Sequence, residues 1–428
     1  MQSPNAPEAS QPGETEGSSG CAVNAASQAE GVIAVNRLFR GSAGAKDAPQ
    51  GEREISTLLI VAPFCSPNYT YPSAAYLTRF LKRRGYRVRQ ADLNLELMLK
   101  IFSRDGLRRI FAAAEAELAQ RPASQPASEH SQRVLAMQAR YVSLIEDVIR
   151  FLQGRLNSLA YRLCHPGFLP RGKHFELNKG FDSFDGAGTT IAVHDRAKFV
   201  GTLFLYDIAE VIRELIFPYF QITLVDRYYD DFVHRCTTFE RMEAELERPA
   251  NVIDAMLLEC LDEHFAIAKP DLVGVTVPFA RNLYYAFRIG RRVKQLSTTA
   301  KVAMGGGFFN TSMREQKDAR VFNYVDFITL DDGEKPILNL VEHLAGKRSI
   351  RRLKRTWHRQ DDAMCFDDGD PEGDARHSEA GAPDYTDLRV GDYFSSLETN
   401  NINQRVRSDG WWNKLTMTHG CYWKKCSF

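Results

Sequence analysis

The feature that most constrains the fold is an alternation of short β-rich runs and amphipathic helices that stops and later resumes. STLLIVAPF, beginning at Ser56, reads as a strand. SAAYLTRFLKRRG follows as a helix, with Ser73 as its expected N-cap and Gly85 as its stop, and YRVRQADL is a second strand. Strand, helix and strand at this spacing make a βαβ unit. Beyond residue 250 the pattern returns: helix IDAMLLECLDEHFAIA, strand DLVGVTVP, helix LYYAFRIGRRVKQL, strand KVAMGGG, then strand VDFITL and helix PILNLVEHL. Strands alternating with helices predict an α/β domain built on a parallel sheet.

Five such strands are most simply arranged as a doubly wound, flavodoxin-like (Rossmann-like) five-stranded parallel sheet. Its ligand is expected at the carboxyl ends of the strands, at the switch point between the first and third. The expected organisation is residues 55–98 and 251–346 as the two parts of one domain, with 99–250 as a helical insertion. Within that insertion Met137, Tyr141, Leu144, Val148, Leu152, Leu156, Leu159 and Leu163 recur at steps of three and four, which predicts one face of a long helix. YDIAEVIRELIFPYF predicts another helix. Residues 1–54 are rich in Ala, Ser, Gly, Gln, Glu and Pro and are expected to be a disordered tail. The acidic, Gly- and Pro-bearing stretch 347–384 is expected to be a linker, and 385–428 the start of a further domain.

The chain carries 55 Lys and Arg against 54 Asp and Glu. A net charge of +1 gives no electrostatic reason to expect nucleic acid or an anionic membrane as partner. The longest apolar runs are too short to span a bilayer, and no basic region followed by an apolar run opens the sequence. A cytoplasmic protein with a small-molecule cofactor is expected. Six of the eight cysteines are scattered singly, unlike a disulfide framework.

The exception is HGCYWKKCSF, in which Cys421 and Cys426 lie close together after a strand-like run, WWNKLTMTHG. Two thiolates on a loop leaving a strand suit a soft metal or an iron–sulfur cluster. With the His-Gly lead-in and the aromatic Phe428, the segment resembles the cluster loop of radical S-adenosylmethionine enzymes. The resemblance implies that Cys421 and Cys426 are the first two ligands of a 4Fe–4S cluster. Phe428 would then pack near the adenine of S-adenosylmethionine. The spacing between the two cysteines is one residue longer than the commonest in that family. The third cysteine of the family would fall directly after Phe428. The chain as it stands is therefore expected to be truncated within the cluster motif, to carry only the first strand of the radical-enzyme (β/α) barrel, and not to be catalytic alone.

A second resemblance is distributed. GVTVP, Gly274 to Pro278, followed by Gly305, Gly306 and Gly307, is similar to the S-x-L … G-G pattern of cobalamin (vitamin B12)-binding domains, with Thr276 at the Ser position and Pro278 at the Leu position. Glycine there is expected to allow close backbone approach of a bulky ligand at a strand end; a tight strand-to-loop turn would require it equally. The D-x-H-x-x-G motif is missing, since FCSPNYTYP after the first strand holds no histidine, so the cobalt is not expected to be His-ligated. Cys65 in that loop is expected to be a small buried residue. Asp331, Asp332, Gly333 and Glu334 are expected either to line the strand-end crevice or to cap the following helix. His419, Trp411 and Trp412 are read as surface or packing residues.

Together these readings imply the cobalamin-binding portion of a radical S-adenosylmethionine enzyme, a methyltransferase or relative. Two alternatives stay open: a stand-alone flavodoxin-like binding or sensor module, and a metal-binding protein in which Cys421 and Cys426 join a partner's ligands.

Overall fold

The computed structural model describes residues 53–177, 193–220, 222, 238–315 and 317–396. The chain divides into Met1–Ala48, which lies outside the described residues, and Pro49–Phe428; everything below belongs to the second unit. Its centre is a seven-stranded sheet of order β2-β1-β3-β4-β5-β6-β7. The strands are β1 (Ser56–Val61), β2 (Arg87–Asp92), β3 (Leu272–Thr276), β4 (Lys301–Gly305), β5 (Phe327–Thr329), β6 (Thr356–Gln360) and β7 (Ala363–Asp367). The first five are parallel and the last two antiparallel. The result is an α/β architecture with a mostly parallel sheet, compatible with a Rossmann-like fold.

Helices cover both faces. On one side α1 (Pro72–Lys82) packs with a helix after β5, Glu334–Leu344, against Leu59, Val61, Ala303 and Phe327. On the other lie α2 (Leu93–Ile101) and the helices flanking β3, together with the helical block. Strands covered on both faces read as continuous apolar runs, and all six residues of β1 are buried.

Among the described residues, the region 99–250 consists of helices and connecting loops, with no strand. It contains α3 (Arg104–Gln120), α4 (Glu129–Ala136), α5 (Gln138–Leu152), α6 (Ala160–Cys164), α7 (Lys173–Leu177), α8 (Val193–Leu215) and α9 (Phe239–Glu247). The expected single helix through residues 131–163 is broken. Its apolar stripe holds through α5, burying Tyr141, Val148 and Leu152. Gly154 then adopts φ +73°, its N–H bonds to Phe151 O, and Arg155 N–H bonds to Arg150 O. That pair of bonds is a Schellman stop, which a periodicity argument does not register. Helix α8 is buried along most of its length, including Asp207. Asp207 accepts hydrogen bonds from Gly172 N at 2.6 Å and His174 N at 3.1 Å, fastening the segment before α7 to the block.

The remaining helices are α10 (Val252–Ala268), α11 (Leu283–Leu296), α12 (Gly307–Thr311), α13 (Glu334–Leu344) and α14 (His377–Ala380). Gly85 ends the first βαβ helix region with φ +84°, as expected. Ser73 is not the N-cap of α1: that position is Tyr71, with Pro72 at the first helical position.

The stretch 347–384 is not a plain linker. It adds β6, β7 and α14. Asp361 and Asp362 both take positive φ between paired Gln360 and Ala363, the two-residue hairpin geometry that twists with the strands. Its acidic residues, which suggested solvated chain, are partnered: Asp367 with His358 at 2.7 Å, and Asp370 with Asn339 at 2.7 Å. Residues 384–396 also stay on this unit rather than opening a new one. Tyr393 and Phe394 are buried; Phe394 N–H bonds to Pro67 O, and Ser395 N–H to Leu152 O. The expected barrel strand lies outside the described residues. No described helix is long and apolar enough to cross a membrane.

Tyr393 Oη donates to Asp92 Oδ2 at 2.5 Å, at the end of β2, and Asp92 also accepts from Leu95 N at 3.0 Å to cap α2. Burial pushes the Asp92 carboxyl up to about 6, with the Tyr393 hydrogen bond pulling it the other way. An exposed aspartate titrates near about 3.9. The folded state therefore holds this proton more tightly than the unfolded state. The associated stability is full below about pH 4 and is lost as pH rises through about 6. The stability of the wild type relative to Asp92→Asn should fall across that interval and level off above it, measured by urea unfolding at successive pH values; a flat difference would show that Asp92 does not titrate there.

Candidate functional site

The sheet face under α1 and α13 carries unusually small side chains. Parallel pairing sets Leu59 beside Gly274, Gly274 beside Ala303 and Ala303 beside Phe327. One step nearer the carboxyl ends, Val61 stands beside Thr276, and Thr276 beside Gly305. Because alternate residues share a face, Gly274 and Thr276 of β3, Ala303 and Gly305 of β4, and Thr329 of β5 form two shallow rows. Central strands of a doubly covered sheet are normally sealed. Here Gly274, Thr276, Gly305 and Thr329 are all half-exposed.

The gap these residues leave is a cavity of about 290 Å³ between the sheet and the two helices. Its other walls are the start of α1 (Tyr71 to Leu77), the Asp331–Glu334 turn with Ile337, and His377 and Ala380 of α14. It opens at the carboxyl ends of β3, β4 and β5 and beside β1, the switch point of the sheet. Ser73 Oγ donates to Thr276 Oγ1 at 3.0 Å, so the serine expected to cap a helix instead ties α1 to the floor of the cavity. Thr329 Oγ1 donates to Met304 O at 3.4 Å.

Of the residues singled out in the sequence, Thr276, Gly305, Gly306, Asp332 and Gly333 line this one cavity, together with Asp331 and Glu334. Pro278 and Gly307 do not. Pro278 is buried, and its carbonyl oxygen stands 3.0 Å from where a Cβ on Gly307 would lie. Gly306 has φ +114°, and a Cβ there would lie 2.9 Å from Val277 O. The exits of β3 and β4 are also stitched together, Val277 N to Gly305 O at 2.8 Å and Phe308 N to Val277 O at 3.1 Å. Gly306 and Gly307 are thus required by the approach of two protein loops; ligand approach is not needed to explain them.

The Asp331–Glu334 turn does not cap α13 with a side chain; its N-cap is Gly333. Asp331, at φ +63°, receives both arms of Arg314 at 2.6 and 3.0 Å and lies 3.2 Å from Arg355. The Arg314 guanidinium holds its carboxyl below the ordinary range. At the rim Tyr71 and the exposed Phe279 meet edge to face at 6.4 Å, with the Arg281 guanidinium 5.3 Å above the Phe279 ring. Burial raises the Tyr71 hydroxyl pKa, with a smaller contribution from Cys65.

Cys65 is buried, as expected, and its N–H donates to Asn94 Oδ1 at 2.8 Å. Among the described residues no three His, Cys, Asp or Glu side chains converge as a metal site. Cys421, Cys426 and Phe428, with Trp411, Trp412 and His419, lie outside the described residues. Sequence reasoning missed Ser73, Gly274, Ala303 and Thr329 as site residues. The period-2 recurrence of small residues in GVT and AMG was the available signal. His377 gave none, since its neighbours read as linker.

Compared with protein-family models, curated proteins and solved structures, the chain matches none.

Because Gly306 combines a left-handed backbone with a close loop contact, Gly306→Val should destabilise the ligand-free protein by roughly 2–4 kcal/mol. Chemical denaturation without ligand checks this, and a variant as stable as wild type would return the glycine to a purely ligand-facing role.

Proposed function

We propose that this unit binds a corrinoid of the cobalamin type at the strand-end cavity, as the cofactor-binding part of a radical S-adenosylmethionine enzyme of the methyltransferase or related class. The observation that carries the first half is the groove at the switch point of the sheet, lined by Thr276 and Gly305 of the motif. The flavodoxin-like order of the five parallel strands supports it. The second half rests on Cys421, Cys426 and Phe428 in HGCYWKKCSF, which would supply two cluster ligands and an adenine contact.

The residues present fit only an appended part of such a cofactor. At about 290 Å³ the cavity is near the lower end of small-molecule sites. It can accept a planar ring with an attached sugar but not a tetrapyrrole-sized macrocycle. An appended arm would be held by the cavity lining, which includes Ala303 and the Ser73, Thr276 and Thr329 hydroxyls. The macrocycle would stay outside, against the rim of Tyr71 and Phe279. When bound, the group supplies a cobalt centre able to carry an alkyl substituent. The protein's own part is to orient it and to shield the inserted arm from water. A flavodoxin-like module for a flavin is the competing occupant.

Ala303 lines the groove but is only 3% exposed, so Ala303→Leu both fills the groove and overpacks the core beside Leu59, Phe327 and Ile337. It should weaken cyanocobalamin binding by about tenfold or more at a cost to apo stability of about 1–3 kcal/mol, leaving the protein folded. Equilibrium dialysis beside a denaturation curve reads both. Undiminished affinity, or a wild-type protein that takes up flavin and no corrinoid, would overturn the proposal.

A further inference from the structure

The outer wall of the groove is made by a segment joined to the unit very differently from its neighbours. Between Asp370 and Asp384 the chain crosses α1 and α13 and contributes His377 and Ala380 to the cavity lining. Of residues 371–383 only Ala380 is buried. Among the described residues, the backbone-to-backbone hydrogen bonds of Glu372–Pro383 stay within the segment: Glu379 and Ala380 N–H to Arg376 O, and Gly381 N–H to His377 O.

What holds the segment down is charge. Glu372 pairs with Lys335 at the start of α13, and its carbonyl accepts from Lys354 Nζ at 2.7 Å. Asp374 pairs with Arg355, and Glu379 lies 3.8 Å from Arg84. At the far end Lys82 of α1 reaches Asp384 and Asp387, each at 3.2 Å. The carboxylates of Glu372, Asp374 and Glu379 are 61%, 42% and 43% exposed, so salt can screen them. Both anchors are firmer. Asp370 is buried against Asn339, and Asp384 N–H bonds to Ala75 O at 3.0 Å. A span with one buried and one half-buried methyl group, those of Ala380 and Ala375, exposed ion pairs and no backbone ladder to the body belongs to the least stable parts of a fold.

From this contrast we infer that residues 371–383 are an electrostatically latched strap, hinged at Asp370 and Asp384, which lifts to admit the ligand to the groove and closes over it. The identity of that ligand rests on the corrinoid reading above; the strap itself does not. Its opening exposes the cavity along the His377 and Ala380 side, and its basic latch points sit at and just after the end of α1, on α13 and just before β6.

Hydrogen–deuterium exchange of the full chain tests the latch without any ligand. Peptides covering Ala375–Gly381 should exchange about threefold or more faster at about 1 M sodium chloride than at about 0.1 M, as the screening length falls from about 10 Å to about 3 Å. Peptides from β3 and β4 should not change. Lys335→Ala should produce the faster exchange at low salt. Equal protection of the strap at both salt concentrations overturns the inference. Stopped-flow binding of cyanocobalamin, which carries no net charge, adds the functional arm: association should accelerate with salt and in Lys335→Ala, and rates indifferent to both would also overturn it. If cyanocobalamin does not bind at all, the corrinoid reading fails, and the exchange result still decides the strap.

Discussion

The pairing of β1 with β3 is the contact on which the rest of the structure depends. It joins segments 215 residues apart and is clamped at its start by a reciprocal set of bonds. Ser56 N–H donates to Asp271 Oδ2, Asp271 N–H donates to Ser56 O, and Ser56 Oγ donates to Ala268 O. Closing so long a loop is less costly than its length suggests, because the entropic penalty grows only logarithmically. The intervening chain must still bury its own apolar surface. It does so as a helical block whose central helix, α8, is enclosed by the others and continuous with the core on one side of the sheet. Since β2 lies on one side of β1 and β3 on the other, this pairing also creates the switch point where the cavity opens.

The two faces of the sheet are used differently. The face toward α10, α11 and the helical block is filled by large side chains, among them Phe64, Tyr285 and Phe287. The face toward α1 and α13 has a smaller core, in which Gly274 makes room for the Leu59 side chain and Gly305 for Thr329. A cavity costs dispersion contacts. The fold tolerates this one because the packing on the opposite face is extensive, and because Ser73 and Thr276 bridge the gap with a hydrogen bond.

The ties around the cavity differ in kind. Asp92 with Tyr393, and Asn68 with Ser396, are enclosed links that fix residues 393–396 to the strand ends. The contacts of residues 371–383 are exposed ion pairs of modest individual worth. A single polypeptide run therefore carries a loosely held part over the cavity and a firmly held part beyond it.

The sequence by itself determined the α/β class, the order in which strands and helices follow one another, and the helical nature of 99–250. These follow from periodicities of two and of three to four residues, which are local properties. Through a family resemblance it also pointed to Thr276, Gly305, Gly306, Asp332 and Gly333, which line the cavity, and to Pro278 and Gly307, which do not. Only the tertiary structure decided that the sheet has seven strands, since the acidic hairpin of β6 and β7 is stabilised by partners distant in sequence. Only it decided that Ser73 faces Thr276, and that Gly306 makes room for Val277. The groove itself belongs to no single segment: Gly274, Ala303 and Thr329 make a space together only once parallel pairing brings them onto one face, and cross-strand register is a relation between segments that neither carries alone.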